Sequence, residues 1–361
     1  MSKVRLIDIC QPKQWKTIPT SQLTKEGYPV YGANGKIGFY SKYNHEKETI
    51  LITCRGATCG SLNISEPFSY VNGNAMCLDK LDDSVLLKYL YYNLCGYNFS
   101  KVISGTAQPQ ITGEGLSKVV LNIHSANEQK IIVDLFEKLE KILISQDLYY
   151  QKLDELIKSR FVEMFGDPKI NIYCFEKKNL KESCDIITGN TPSRANAEYY
   201  GNHIEWIKTD NILTNQLYPS QADEFLSVDG MNVGRYVDKG SILMSCIAGS
   251  LSSIGRVCIT DRKVAFNQQI NALVPKDYNV IFLYVLLLLS KDYLLEGINM
   301  ALKGILSKSG LGNKQLIIPP TDLQNQFADF VTKVEQQKST VQKSIDKLET
   351  LKKSLMQKYF G

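Results

Sequence analysis

Amide, hydroxyl and basic side chains recur in short loop-like stretches of this 361-residue chain, and their chemistry suits the edges of nucleic-acid bases. "SGTAQPQIT" (104–112) presents Thr106, Gln108, Gln110 and Thr112 around a proline that stiffens the turn. "VNGNA" carries Asn72 and Asn74, and "FNQQINAL" (266–273) carries Asn267, Gln268 and Gln269. An Asn or Gln amide donates and accepts at once, which matches N6 and N7 of adenine. Arg55, in "CRGAT" with Thr58, offers a fork for guanine or a phosphate. The same amides also serve as turn caps and as partners for buried backbone, which is the simpler role for any one of them. Recurrence of the set at matched places is what points to a surface task.

Catalytic chemistry is not legible. "GANGKIG" places a Lys after Gly but has neither the spacing nor the hydroxyl residue of a phosphate loop, since Ile37 stands where Ser or Thr is needed. "IIPPTD" has two prolines without the Asn and the aromatic with which base-methylating enzymes hold a flipped adenine. Three histidines (His45, His124, His203) and cysteines without a C-x-x-C pair form no zinc pattern, so neither a catalytic set nor a metal is expected.

The elements that must position these loops occur twice. "LDELIKSRFVEMFG" ends at Gly166 and "LETLKKSLMQKYFG" ends at Gly361; Leu153, Leu156, Phe165 and Gly166 recur as Leu348, Leu351, Phe360 and Gly361 at an offset of 195. The same offset pairs Leu116 with Leu311, Leu121 with Leu316, and Asn72 with Asn267. Further upstream the spacing changes, yet "ILITCRGA" (50–57) still resembles "ILMSCIAG" (242–249). The second copy is longer, 195 residues against 166, with the surplus in its first half. Such self-similarity is the mark of a duplicated unit.

Each copy opens with β-branched and aromatic runs broken by Gly and Asn, which read as short strands and turns. It closes with a helix whose apolar positions alternate steps of three and four: Ile132, Leu135, Leu139, Ile142, Gln146, Tyr149, Leu153 and Leu156 in one, Phe327, Phe330, Val334, Gln337, Val341, Ser344, Leu348 and Leu351 in the other. A helix of about forty residues is roughly 60 Å long. With a single apolar stripe it needs a partner, and its counterpart is the obvious one. The expected fold is therefore α+β, with two mixed α/β domains separated by two long antiparallel helices forming a coiled coil with approximate two-fold symmetry. The boundaries read as 1–125, 126–166, 167–320 and 321–361. The net charge of +5 permits a nucleic-acid partner, the nine cysteines read as cytoplasmic free thiols, and the longest apolar run, 280–289, is too short to span a bilayer.

"IITGNTPSRANAEYYGNHIEWIKTDNI" (186–212) closely resembles target-recognition domains of type I restriction–modification specificity subunits. "YPVYGANGKIGFY" (28–40) looks like another variant of that domain, and "IIPPTDLQNQ" is similar to the family's entry into its helical region. The resemblance runs through the whole chain in the family's order, except that "NIHSANEQ" stands where the second copy has its double proline. It implies a non-catalytic subunit that reads a bipartite site in double-stranded DNA, one half per domain. The helices would separate the halves and dock two methyltransferase subunits, which bind S-adenosylmethionine. Restriction/translocase subunits would join them, using ATP and Mg. Carried onto this sequence, the resemblance puts Thr191, Ser193 and Arg194 on a turn toward phosphates and Lys208, Thr209 and Asn211 toward bases, with Lys303 and Lys308 as further candidates and Trp206 as core. A stand-alone DNA-modifying enzyme, or the reader of a related defence system, is the alternative.

Overall fold

The computed structural model describes residues 2–105, 108–214, 216–250, 252–298 and 304–361, in two compact units. The first comprises residues 1–148 and 342–361, the second residues 149–341. Both are built to one plan.

In the first unit, strands Gln11–Gln14, Ala75–Asp79, Ile50–Thr53 and Leu62–Ile64 hydrogen-bond in that order as an antiparallel sheet. The hairpin Tyr28–Gly32 and Gly35–Tyr40 joins Tyr70–Val71 in a smaller sheet through a parallel pairing. In the second unit, Cys184–Thr188, Ile270–Pro275, Ile242–Ser245 and Val257–Ile259 repeat the first arrangement strand for strand. There Tyr200–Ile207 takes the place of the hairpin and pairs in parallel with Val264–Phe266. Ile50–Thr53 and Ile242–Ser245 are buried at every position, which is why both read as unbroken apolar runs rather than alternating ones. The apolar run at Val280–Leu289 is a buried helix, capped by Asn279, matching Leu87–Gly96 in the first unit. No helix among the described residues is long and apolar enough to cross a membrane.

The long helices span Ala126–Phe165 and Thr321–Phe360. The first starts where the Glu128 carboxylate reaches back to Ser125 and accepts from both its backbone N–H (2.9 Å) and its hydroxyl (2.7 Å). Thus "SANE" does the work that the double proline does in the second copy. The first helix ends on Gly166, whose φ of +72° and N–H bond to the Val162 carbonyl form the left-handed stop that glycine favours. Gln129 and Gln324, each 1 % exposed, are equivalent. Gln129 accepts from the Leu86 N–H at 2.9 Å and Gln324 from the Asn279 N–H at 2.8 Å, so each fastens a long helix to the start of a short one.

Each helix contributes its first part to one unit and its last part to the other. In the first unit Phe136 faces Phe360 at 5.9 Å, and Lys352 bridges Glu140 at 2.9 Å. In the second unit Phe161 and Phe165 meet Phe327, both at 5.5 Å, while Lys338 bridges Asp154 at 2.7 Å. Within each unit the residue number rises along one helix as it falls along the other, so the segments are antiparallel.

The seam corrects the expected one by a single residue at every second position. Ile132, Leu139, Leu153, Phe327 and Val334 are buried as expected, and Leu348 is half-buried. Leu135 and Phe330 are only partly buried, Leu156 and Leu351 are exposed, and so are Ile142, Tyr149 and Gln337. The inward positions are instead Phe136, Ile157, Val331, Lys338 and Ile345. Steps of 3-4 and 4-3 have the same mean period, and only the direction of the neighbouring surface chooses between them. Lys338, 4 % exposed at its side chain, is held in the seam by Asp154, by Glu335 (2.9 Å) and over the Tyr150 ring. Burial disfavours the ammonium charge, but the hydrogen bonds and negative charge of the two carboxylates together outweigh it and raise the Lys338 pKa above its ordinary value.

This register predicts opposite outcomes for adjacent residues. Ile157→Ala should cost about 2–3 kcal/mol by leaving a cavity, whereas Leu156→Ala should stay within about 0.5 kcal/mol. Denaturant unfolding of the two variants checks this, and the reverse order would restore the 3-4 seam.

Candidate nucleic-acid interface

In the first unit the strand Ile50–Thr53 runs out into a loop that meets residues 109–111. Arg55 pairs with Gln110 in an isolated antiparallel bridge, Gly56 N–H donates to the Pro109 carbonyl (3.2 Å), and Ile111 N–H donates to the Cys54 carbonyl (3.0 Å). Arg55, Thr58, Gln108 and Gln110 are thereby brought together and left exposed. The Thr58 hydroxyl donates to the Asn34 side chain at 2.6 Å, which adds the tip of the 28–40 hairpin to the group. Asn74 is exposed beside them, its carbonyl accepting from Cys54 N–H. Thr106 lies outside the described residues.

Two expected readers on this side have other tasks. Asn72 is buried (4 % exposed); its side-chain oxygen accepts from the Ile18 N–H at 2.9 Å and its amide donates back to the Ile18 carbonyl. Thr112, though exposed, caps the short helix Gly113–Ser117 by accepting from Gly115 N–H at 3.1 Å.

In the second unit, Asn267 repeats Asn72. It is 6 % exposed, its backbone N–H reaches the Ile207 carbonyl as Asn72 reaches that of Tyr31, and its side chain is held by Gln269. Asn211 is likewise occupied, accepting from Lys208 N–H (2.9 Å) and donating to Ser220 and the Gln221 carbonyl (both 3.1 Å). These amides satisfy backbone that would otherwise be left unpaired. Gln268 stays exposed; its side-chain oxygen accepts from the Thr191 hydroxyl, leaving its NH2 and a second lone pair. Ser193 and Lys308 are exposed, Thr209 is half-buried in the 3-10 turn Thr209–Asn211, and Lys303 lies outside the described residues.

Arg194 and Lys208 converge. The Arg194 guanidinium lies 4.4 Å from the Tyr200 ring centroid and 5.1 Å from that of Trp206, and Lys208 lies 5.3 Å from the latter. Both cations bond to Glu224, Arg194 at 2.6 Å. The hydrogen bond from Lys208, reinforced by Arg194, holds the Glu224 carboxyl below its usual range. Trp206 is core (3 % exposed), as expected, and its indole donates to the Asn190 carbonyl at 3.3 Å. On the same strand Glu205 is gripped by Arg262 through two bonds of 2.6 and 2.7 Å and also accepts from Ala222 N–H.

The bridge between Arg55 and Gln110 has a counterpart in the pairing of Ile247 with Ile305. The backbone pairing is kept, while the exposed tip changes from cationic and amide to apolar, with Ile305 56 % exposed. Glu224, Asn34 and Ile305 were not singled out in the sequence, because a lone acid, amide or isoleucine carries no pattern. The fold also brings the ligand atoms of His45 within 4.8 Å of those of Cys77 and Asp79, which share the strand Ala75–Asp79. There His45 bonds Asp79 (2.9 Å) and Asn44 (2.7 Å), and the Trp15 indole donates to Asp79 (3.0 Å). All nine cysteines are free thiols.

Comparison with known proteins gives a consistent picture. The family model described as "Type I restriction modification DNA specificity domain" matches residues 1–151 and 174–350. The HindI specificity subunit of Haemophilus influenzae is 38 % identical over 105 residues, covering 28 % of this chain and 22 % of the relative. The EcoprrI specificity subunit of Escherichia coli is 24 % identical over 115 residues, 32 % of this chain and 28 % of the relative. Those matches span about a quarter of each relative's length. A putative specificity subunit of H. influenzae, S.HindORF215P, is 22 % identical over 346 residues, 89 % of this chain and 83 % of the relative. Among solved structures, the S subunit from M. genitalium superposes with a TM-score of 0.64 at 16 % identity, covering 100 % of this chain and 96 % of that one. A chain from a type I R-M system studied for complex assembly and conformational transition gives 0.59, also at 16 % identity, over 99 % and 97 %.

Two predictions separate support from readout in the second and first units. The Glu205 carboxyl is held below its ordinary value chiefly by its bonds to Arg262. That pair therefore stabilises the fold above the ordinary carboxylate range and stops doing so as pH falls through the depressed value. Arg262→Ala should cost about 1–2 kcal/mol at pH 7, and the gap to the parent should close in acid; denaturant midpoints at the two pH values check it. Asn72→Ala should cost about 1–3 kcal/mol by orphaning the Ile18 amide, with no change in nucleic-acid sequence preference.

Proposed function

From the premise that the chain belongs to the type I restriction-modification DNA specificity family, we propose that it is the non-catalytic DNA-reading subunit of such a system. Each unit reads one half of a bipartite duplex target. The observation that carries this reading is the duplicated scaffold with unlike tips: the same sheets present Arg55 and Gln110 in one unit and Ile247 and Ile305 in the other. A scaffold repeated with altered exposed side chains suits two half-sites of different sequence. Arg and Gln pair with purine edges in the major groove, and apolar side chains contact the thymine methyl.

The chemistry of such a system falls to partners: two methyltransferase subunits carrying S-adenosylmethionine, and restriction/translocase subunits using ATP and Mg. The long helices dock the former; Ile131 and Ile144, 65 % and 68 % exposed, supply apolar surface for that purpose. The site of action is the cytoplasm, where the host DNA lies and free thiols persist.

Mapping methylated adenines in cells expressing this chain with its partner subunits tests the reading. The parent should yield one bipartite motif. Arg55→Ala should relax a base in one half and Gln268→Ala a base in the other, each losing about 1–3 kcal/mol of discrimination. Lys308→Ala should weaken binding to all sequences and reduce the salt slope by about 1. An unaltered motif in both readout variants would remove those side chains from the interface. Methylation by the purified chain alone would favour a stand-alone enzyme instead.

A further inference from the structure

Arg194 and Lys208 come from different segments, one from the 186–196 turn and one from the end of the strand Tyr200–Ile207, yet both end on a single carboxylate. Glu224 is itself fixed: its backbone carbonyl accepts from the Trp206 N–H at 2.9 Å, and Phe225 then enters a strand paired with Glu205. The two cations also share one aromatic shelf, Tyr200 and Trp206. Three charges are thus clamped at one place on the surface with a net charge of one.

Resting on the DNA-reading proposal above, we infer that Glu224 is a positioning residue that restrains Arg194 and Lys208 against indiscriminate phosphate binding and orients them for the correct half-site. A mobile Arg and Lys at an exposed edge would neutralise phosphates on any duplex, and that term is independent of sequence. The carboxylate is the competing anion. A phosphate must displace it, so a DNA that makes no further contacts gains little from these cations, while one whose base edges fit the neighbouring Gln268 and Thr191 gains the remainder. Glu224 therefore lowers affinity for random DNA in order to widen the gap between target and non-target.

The prediction has a sign that a purely structural role does not share. In the full chain assembled with its methyltransferase partners, Glu224→Gln should tighten binding to random duplex DNA severalfold at low salt. It should also steepen the salt slope by about 1, since one more cation is released to the phosphates. The ratio of target to random affinity should fall by about tenfold, and Glu224→Asp, which keeps the charge, should restore most of it. Fluorescence anisotropy with target and scrambled duplexes at several salt concentrations gives all three quantities. Weaker binding to both duplexes in Glu224→Gln, with the parental slope, would overturn the inference and leave Glu224 a structural residue. Unchanged binding in Glu224→Gln, with Arg194→Ala and Lys208→Ala weakened, would reject the restraint while keeping the two cations on DNA. If none of these variants changes binding, the second unit does not meet DNA through this edge and the underlying assignment fails there.

Discussion

The fold depends on where two phenylalanines pack, Phe165 fully buried and Phe360 half-buried. Phe360 ends the second long helix and packs in the first unit, 5.7 Å from Tyr89 and 5.9 Å from Phe136. Phe165 ends the first long helix and packs in the second unit, 4.9 Å from Phe282 and 5.5 Å from Phe327. Tyr89 and Phe282 are themselves equivalent, one on each short helix. Burying one such ring contributes roughly 2–3 kcal/mol, which is substantial against the marginal stability of a domain. Each globular part is thus closed by a helix end belonging to the other copy. The recurrence of this helix end at an offset of 195 thus has a physical reason: two globular parts need closing, and the two helix ends supply the closures.

Polar groups inside the units obey the same duplication. Asn72 and Asn267 stand at equivalent turns, the first bonding Ile18 and the second Gln269, and Gln129 and Gln324 fasten the same helix start. An unpaired amide at such a place costs about 1–3 kcal/mol, so the scaffold holds these residues constant. At the exposed bridge that follows the central strand nothing comparable constrains the side chain, and Arg55 with Gln110 gives way to Ile247 with Ile305. The groups that stabilise the scaffold and the side chains exposed at its tips are therefore different atoms a few residues apart, and the tips can vary without unfolding what holds them.

The electrostatics of the two units differ accordingly. Arg55 stands exposed at its tip, whereas Arg194 and Lys208 are tied to Glu224. Clamped cations give up part of their attraction for phosphate and gain a defined direction.

Much of this was legible in the sequence. A constant offset of 195 disclosed the duplication, apolar runs marked the buried strands, and sustained heptad spacing marked both long helices. These are local or periodic signals, fixed by how side chains alternate along a strand or circle a helix. The tertiary structure decided what periodicity leaves open. It placed Phe136, Ile157, Val331 and Lys338 inward where Leu135, Leu156, Phe330 and Gln337 were expected, because the two step patterns share one period and differ only in the side that meets a neighbour. It turned Asn72, Asn211, Asn267 and Thr112 toward backbone while leaving Gln108, Gln110 and Gln268 exposed, a choice set by which amides lie within reach of an unpaired N–H. And it gathered Arg194, Lys208 and Glu224 from three separate segments; opposite charges meet only where the fold has already brought their backbones together.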